Sequence, residues 1–99
     1  MIPSGAQLMV ADGAVGTSGA SVRLFTIHIL AAGADVPEIK LYNGTSNAGT
    51  IYVQQKGAAS TGKTFEFGEE GFLFPDGCFY EEVTDAHVTS TLIEFQKEN

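Results

Sequence analysis

The sequence predicts an all-β fold: a single antiparallel β-sandwich, jelly-roll-like or Ig-like, of about seven or eight short strands. Thr, Val, Ile, Phe and Tyr are plentiful, and these residues fit strands. Apolar and polar residues alternate in short segments that recur every ~8–12 residues between turns, and no segment shows the period of a helix. With 99 residues, 43% of them hydrophobic, the chain can bury one modest core.

The first twenty residues differ in composition from the rest. Gly, Ala and Ser are frequent there, and one apolar patch, Leu8-Met9-Val10, interrupts them. A short strand is expected at this patch, within chain of the kind that stays flexible until a contact orders it. We therefore expect a flexible N-terminal arm at 1–20 and a β-sandwich domain at 21–99. The arm either orders on a neighbouring subunit or is a frayed end with one edge strand.

The most regular strand is expected at 21–31. Its segment, SVRLFTIHILA, is β-branched and apolar at both odd and even positions, which indicates a central strand or one covered by a partner. One face would carry Val22, Leu24, Thr26, His28 and Leu30, and the other Arg23, Phe25, Ile27 and Ile29.

The next two strands are expected at 38–42 and 50–55, with a looped hairpin between them. Asn43-Gly44 follows the first strand, and this dipeptide is a strong turn signal because both residues tolerate positive φ. Alternation places four side chains inward: Ile39, Leu41, Ile51 and Val53.

An aromatic block at 64–83 is expected to supply the largest share of the core. It holds six of the ten aromatic residues, and each aromatic side chain buries roughly 150–250 Å². Turn signals at 68–71 and 75–77 divide it into strands at about 63–68, 71–74 and 78–83, and a last strand follows at 87–96. The six aromatics are Phe65, Phe67, Phe72, Phe74, Phe79 and Tyr80.

Charge and segment composition exclude several classes of function. Five basic residues stand against twelve acidic ones, a net charge of −7, and the basic residues are scattered singly, so direct binding to nucleic acid is not expected. No apolar run reaches the ~20 residues that span a membrane, and no basic segment with an apolar core indicates a secretory signal. The single cysteine allows no internal disulfide and fits a reducing cytoplasm.

The residues that could carry chemistry form no recognisable motif. His28, His87 and Cys78 could in principle supply three zinc ligands, but their spacing matches no local ligand pair. The acids of the C-terminal half match no calcium loop and are typical of a solvated face. We expect no catalytic residue, no cofactor, no metal and no enzymatic activity. These acids are Glu66, Glu69, Glu70, Asp76, Glu81, Glu82 and Asp85.

Two short segments match the spelling of known sequence motifs. Residues 57–64, GAASTGKT, meet the bare spelling of a phosphate-binding loop, but a strand pattern follows them where that loop requires a helix. We interpret them as a hairpin loop, and Asn43-Gly44-Thr45, the spelling of a glycosylation site, as a turn.

Three segments of the chain together form a recurrent pattern: IKLYNGTSNAGTIYV, TFEFGEEGFLFPDGCFYEEVT and VTSTLIEFQ. This pattern resembles that of small β-sandwich virion proteins of tailed bacteriophages, and the resemblance covers about residues 22–96. Its motifs are mainly turn and core residues. The sequence departs from the pattern at two acidic pairs, Glu69-Glu70 and Glu81-Glu82, and at Cys78.

The resemblance implies a structural protein of the virion that is assembled in the host cytoplasm. The first expectation is a head decoration or cement protein that binds the major capsid protein or another virion protein as a symmetric homo-oligomer, with a trimer preferred. The alternatives are a tail, adaptor or fibre component, and a carbohydrate-binding β-sandwich module. For that module, which normally exposes a row of aromatics, the candidates are Tyr42, Tyr52 and Tyr80.

Overall fold

A computed structural model describes residues 5–31, 33–58, 60–84 and 87–97 of the chain. These residues form an all-β fold of two antiparallel sheets, as the sequence predicted. The nine strands are β1 (Gly5–Met9), β2 (Gly13–Val15), β3 (Val22–Ala31), β4 (Glu38–Asn43), β5 (Thr50–Lys56), β6 (Lys63–Glu66), β7 (Phe72–Phe74), β8 (Cys78–Glu82) and β9 (Val88–Lys97).

The strand order is that of a jelly roll. One sheet, sheet A, has the order β1-β9-β3-β6, with β7 also paired to β3, and the other, sheet B, has the order β2-β8-β4-β5. Because β6 and β7 lie end to end along β3, they occupy one strand position between them. The chain then forms nested antiparallel pairs, β1 with β9, β2 with β8, β3 with β6 and β7, and β4 with β5. This nesting is the double Greek key of a jelly roll, and it differs from the strand arrangement of an Ig domain.

The N-terminal residues take part in both sheets. Strand β1 pairs with β9 at the edge of sheet A, and β2 pairs with β8 at the edge of sheet B. Met9 and Val15, one from each strand, are buried in the core. The segment assigned to a flexible arm at 1–20 therefore contains two strands of the sandwich. Strand β2 was not predicted from the sequence, because its three small residues, Gly-Ala-Val, show no alternation of apolar and polar residues.

A β-bulge in β3 changes which side chains face the core. Leu24 and Thr26 pair with the consecutive residues Phe95 and Glu94 of β9, so Phe25 is the extra residue. Val22 and Leu24 face the core before the bulge, and Ile27 and Ile29 face it afterwards. The outer face of β3 is therefore partly exposed and polar, with His28 on it. The expected central strand is confirmed, because β3 lies between β9 on one side and β6 and β7 on the other. The expected grouping of its side chains by face is wrong after Leu24, because alternation was counted straight through the bulge.

A second bulge lies in the edge strand β5. Leu41 pairs with Val53 and Tyr42 with Ile51, which leaves Tyr52 as the extra residue. Val53 is buried as predicted, whereas Ile51 is 44% exposed. Bulges increase the local twist and interrupt pairing, so they make an edge strand less able to pair with other chains.

The aromatic block contributes to the core less uniformly than its alternation predicts. Phe74 and Tyr80 are fully buried, but Phe72 is 38% exposed. Phe65 and Phe67 are partly buried and pack against the core cluster. The rest of the core is aliphatic and comes from both sheets: Met9, Val15, Val22, Leu24, Ile27, Ile29, Ile39, Leu41, Val53, Val88 and Ile93, with Cys78 and Phe95.

The sandwich is thin and broad, with extents of 39 × 28 × 17 Å. The shortest dimension is that of two stacked sheets, which lie about 10 Å apart before side chains are added. Within the described ranges, no helix is long and apolar enough to cross a membrane.

Candidate interaction surfaces

The three residues that could have supplied a metal site lie in different surroundings. His28 lies on the outer face of sheet A, and the Nε2 atom of His87 is 3.4 Å from Oδ2 of Asp35. Cys78 is buried in the core, and this burial raises the pKa of its thiol to about 12. The described part of the chain contains no group of three or more His, Cys, Asp and Glu side chains that could hold a metal ion.

Most of the predicted acids lie on the surface, but Glu82 is buried, so the expectation of a solvated face is wrong for that residue. Two of the others, Glu81 and Asp76, hold neighbouring side chains in place. The Tyr42 hydroxyl donates to Glu81 at 2.6 Å, and the Asn47 amide donates to the same carboxylate at 3.1 Å. These hydrogen bonds lower the pKa of Glu81, while the bond to Glu81 raises the pKa of Tyr42 to about 12. Asp76 accepts from the Asn43 amide at 2.9 Å. Asp85 lies outside the described residues.

One polar cluster is buried between the sheets. The hydroxyls of Tyr80 and Thr91 are 2.7 Å apart, and Tyr80 also donates to Glu82 at 3.0 Å. Tyr80 and Thr91 are fully buried, and Glu82 is 5% exposed. Burial raises the pKa of Tyr80, which keeps this hydroxyl protonated as a donor. The backbone N–H of Glu82 donates to Asp12 at 2.8 Å, so the cluster also fixes the turn between β1 and β2.

The string that spells a phosphate-binding loop leads into a strand. Lys63 and Thr64 begin β6, and the Lys63 ammonium lies 5.4 Å from the centre of the Phe65 ring. No helix N-terminus follows, so the geometry of a phosphate loop is missing from this segment. The loop is also not a hairpin, because β5 and β6 belong to different sheets. The Asn43-Gly44 turn does join two paired strands, β4 and β5.

The histidine on the outer face of sheet A is held by two side chains. Its Nδ1 atom is 3.0 Å from the Thr64 hydroxyl, and its Nε2 atom is 3.2 Å from Oε1 of Glu94. A shallow pocket of about 310 Å³ adjoins it and is partly lined by Leu30 and Gly62. The imidazole is 39% exposed, so these bonds fix its orientation on an open surface.

An aromatic cluster closes one long side of the sandwich, where β5 of sheet B comes close to β7 of sheet A. We call it the aromatic rim: Tyr52, Phe67, Phe72 and Phe74. The Tyr52 ring centre is 5.8 Å from that of Phe72 and 5.3 Å from that of Phe74, and Phe67 lies 6.2 Å from Phe72. Phe74 is fully buried, whereas Tyr52 and Phe72 are each 38% exposed.

A second apolar surface lies on the outer face of sheet A. Leu8 of β1 pairs directly with Leu92 of β9, which pairs in turn with His28. Leu8 and Leu92 are 59% and 37% exposed, and Leu30 is 49% exposed. We call Leu8, Leu30 and Leu92 the leucine patch. Single exposed apolar residues are ordinary on the surface of a monomer, whereas the residues of these two groups are clustered.

The tyrosine row that a carbohydrate-binding module would need is not assembled. Tyr80 is fully buried and Tyr42 is 5% exposed, which leaves Tyr52 as the one exposed tyrosine of the three. Tyr52 stacks on Phe72 and Phe74 in the aromatic rim. Sequence reasoning missed the rim, because the bulge that places Tyr52 beside these rings leaves no sign in the alternation.

Comparisons with known proteins do not assign this chain to a family. No protein-family profile, no curated protein and no solved structure matches it.

Proposed function

We propose that this chain is a structural protein of a tailed-phage virion, a head decoration protein that binds the capsid surface as a symmetric oligomer. The supporting observation is the pair of exposed apolar surfaces, the aromatic rim and the leucine patch, on a thin two-layer jelly roll. A protein that works by packing against copies and neighbours needs a rigid core and apolar contact areas, and it needs no reaction centre. That the protein belongs to a virion is proposed from the sequence resemblance described above.

The exposed apolar residues support this proposal over that of an enzyme. In the described residues, the buried polar cluster of Tyr80, Thr91 and Glu82 lies inside the core, and the histidine with the most polar contacts lies on an open sheet face. The pocket of about 310 Å³ beside that histidine is shallow. The large exposed apolar side chains support a protein that binds a surface.

The test is the number of copies of the chain in purified particles of the phage that encodes it. A decoration protein is expected in numbers comparable with those of the major capsid protein, and its deletion is expected to lower the temperature at which full heads release DNA. Particles without the chain should bind the purified protein until the surface is saturated.

Two outcomes would replace this proposal. A few copies in each particle, located at one vertex, would identify a tail, adaptor or fibre component. Absence from particles, together with binding to a polysaccharide that Tyr52→Ala abolishes, would identify a carbohydrate-binding module. Tyr42→Phe serves as a control in the glycan experiment, because Tyr42 is only 5% exposed and its hydroxyl bonds to Glu81.

A further inference from the structure

We propose that Asn43 is a site of spontaneous deamidation, and that hydrogen bonds between two turns of the fold control how fast it reacts. The chemistry of the Asn43-Gly44 dipeptide makes the reaction possible, and the contacts of both residues in the folded protein determine its rate. Neither depends on the virion role proposed above.

The reaction needs only the dipeptide and water. The backbone nitrogen of Gly44 attacks the side-chain carbonyl carbon of Asn43, and the side-chain amide nitrogen leaves as ammonia with the proton that Gly44 gives up. Water then opens the resulting five-membered succinimide ring at either of its two carbonyls, so the product is aspartate or isoaspartate. Glycine hinders the attack least because it has no side chain, and 43–44 is the one Asn-Gly dipeptide of the chain.

The fold holds the reacting groups of both residues. The side-chain amide of Asn43 donates to Oδ2 of Asp76 at 2.9 Å, and its carbonyl oxygen accepts from the backbone N–H of Asp76 at 2.9 Å. The backbone N–H of Gly44 donates to the carbonyl oxygen of Gly77 at 3.0 Å. We call these three hydrogen bonds the turn contact, because they join the turn after β4 to the turn at 75–77. Both the attacking nitrogen and the attacked amide are therefore engaged in the native protein.

The backbone around Asn43 is fixed as well. Asn43 ends β4, which lies between β8 and β5 in sheet B, and it pairs with Thr50 and Cys78. Closing the ring requires Asn43 to leave the extended conformation of a strand, in which its Cβ and the next nitrogen point apart. A Cβ on Gly77 would lie 3.0 Å from the carbonyl oxygen of Gly44, so the two turns are closely packed. Asn43 must therefore wait for this end of the sandwich to open locally.

Deamidation in turn breaks the contact that slows it. The new side chain is a carboxylate, which cannot donate to the Asp76 carboxylate and carries the same charge. The turn at 75–77 leads from β7 in sheet A to β8 in sheet B, so its separation from β4 loosens the connection between the sheets. Isoaspartate also lengthens the backbone by one carbon at the end of β4. Each modified chain is therefore less stable at this end than the chain as it was made.

The first test follows the deamidation of the wild type at mildly alkaline pH by mass spectrometry of proteolytic peptides. In urea, Asn43 should react much faster than Asn47, which lies in the same loop but precedes Ala48. In the native protein, Asn43 should react at least about tenfold more slowly than in urea, because reaction requires local opening. This comparison needs no variant.

The second test removes one partner of the turn contact. Asp76→Ala deletes the acceptor of the Asn43 amide and should raise the rate at Asn43 in the native protein about threefold or more. The matched control is Glu69→Ala, which removes the same charge from another exposed turn and should leave the rate unchanged. Circular dichroism melting checks that both variants are folded.

The third test measures the consequence of the reaction by urea unfolding of Asn43→Asp, which carries one of its two products. Its unfolding midpoint should lie below that of the wild type at neutral pH. Adding Asp76→Asn should raise the midpoint again, because an amide then faces a carboxylate as it does in the wild type. This double variant also decides the role of the turn contact if Asp76→Ala is unfolded.

Three results would overturn the proposal. The first is an equal rate at Asn43 in the native protein and in urea, and the second is a native rate that Asp76→Ala raises no more than Glu69→Ala does. The third is an Asn43→Asp variant whose midpoint does not recover when Asp76→Asn is added. Deamidation in urea that is faster at Asn47 than at Asn43 would remove the chemical basis of the proposal.

Discussion

Removing the buried Tyr80 hydroxyl should destabilise the fold strongly, although Tyr80→Phe deletes a single oxygen atom. That hydroxyl lies 2.7 Å from the Thr91 hydroxyl and donates to Glu82 at 3.0 Å. A neutral buried hydrogen bond contributes about 1 kcal/mol, and one to a charged group about 1.5–3 kcal/mol. Tyr80→Phe removes both hydrogen bonds, while Glu82 keeps its further interactions. We therefore expect the free energy of unfolding to fall by roughly 2–4 kcal/mol. A domain of this size has a free energy of unfolding of about 5–15 kcal/mol, so the loss is a large share of it.

The measurement is urea unfolding followed by far-ultraviolet circular dichroism. With a slope of about 2 kcal/mol/M or less, Tyr80→Phe should lower the midpoint by at least about 1 M. The matched control is Tyr42→Phe, whose hydroxyl bonds to Glu81 on the outer face of sheet B and should cost less than about 1 kcal/mol. The double variant Tyr80→Phe with Thr91→Val should lose less free energy of unfolding than the two single variants lose together, because both changes remove the same hydrogen bond.

The pH dependence of stability gives a second reading of Tyr80. Its pKa is raised in the folded protein by burial, whereas in the unfolded chain a tyrosine ionises near pH 10. Above about pH 10 the unfolded state therefore loses this proton first, and stability falls as pH rises. Tyr80→Phe should remove part of that fall. If Tyr80→Phe costs no more than Tyr42→Phe and leaves the alkaline slope unchanged, the reasoning about the buried cluster is refuted.

Three further predictions concern single positions. Gly62→Ala should destabilise the fold by at least about 2 kcal/mol more than Gly33→Ala in the same urea assay. Both glycines have positive φ, but a Cβ at Gly62 would collide with the carbonyl oxygen of Ile29, whereas Gly33 has open space around it. Equal losses of stability would contradict this collision. Tyr42→Phe should raise the pKa of the Glu81 carboxyl toward its usual value in a carbon-detected NMR titration, because the hydrogen bond from Tyr42 is the largest cause of the lowered pKa. The wild type should lose the corresponding stability as pH falls through the range in which Glu81 is protonated. An unchanged pKa of Glu81 would contradict the hydrogen bond from Tyr42. The Cys78 thiol, whose burial raises its pKa to about 12, should react with a disulfide reagent at pH 8 only after urea unfolding, and rapid reaction of the native protein would contradict its burial.

The sequence was enough to predict the class of fold, because alternation and turn residues are local. The strand at 38–42, for example, has Ile39 and Leu41 in the core as expected. The sequence was not enough to predict which residues of a strand face the core beyond a bulge. Nothing in SVRLFTIHILA shows that Phe25 is the extra residue, and that one residue moves Ile27 and Ile29 to the inner face. The jelly-roll order depends on pairs between distant strands, which local patterns do not encode.

The candidate surfaces were less predictable than the fold. An exposed leucine and a buried leucine look the same in a sequence, so Leu8 could be identified as part of a short strand but not as part of a contact surface. Tyr52 joins the aromatic rim only because β5 bulges beside β7. The expectation that the two histidines form no metal site rested on their spacing and on their positions within strand patterns. The fold places His28 and His87 in separate surroundings.

The nested pairing of strands also determines the order in which this chain can fold. The innermost pair, β4 with β5, joins neighbouring segments, whereas β1 pairs with β9, the last in chain order of the strands that the structure describes. During translation β1 must therefore wait with its apolar residues, including Met9, uncovered until Val88–Lys97 has left the ribosome. Pairings between such distant segments also make folding slow. We expect the newly made chain to be most prone to aggregation in this interval, when sheet B can form but the central strand β3 lacks its partner β9.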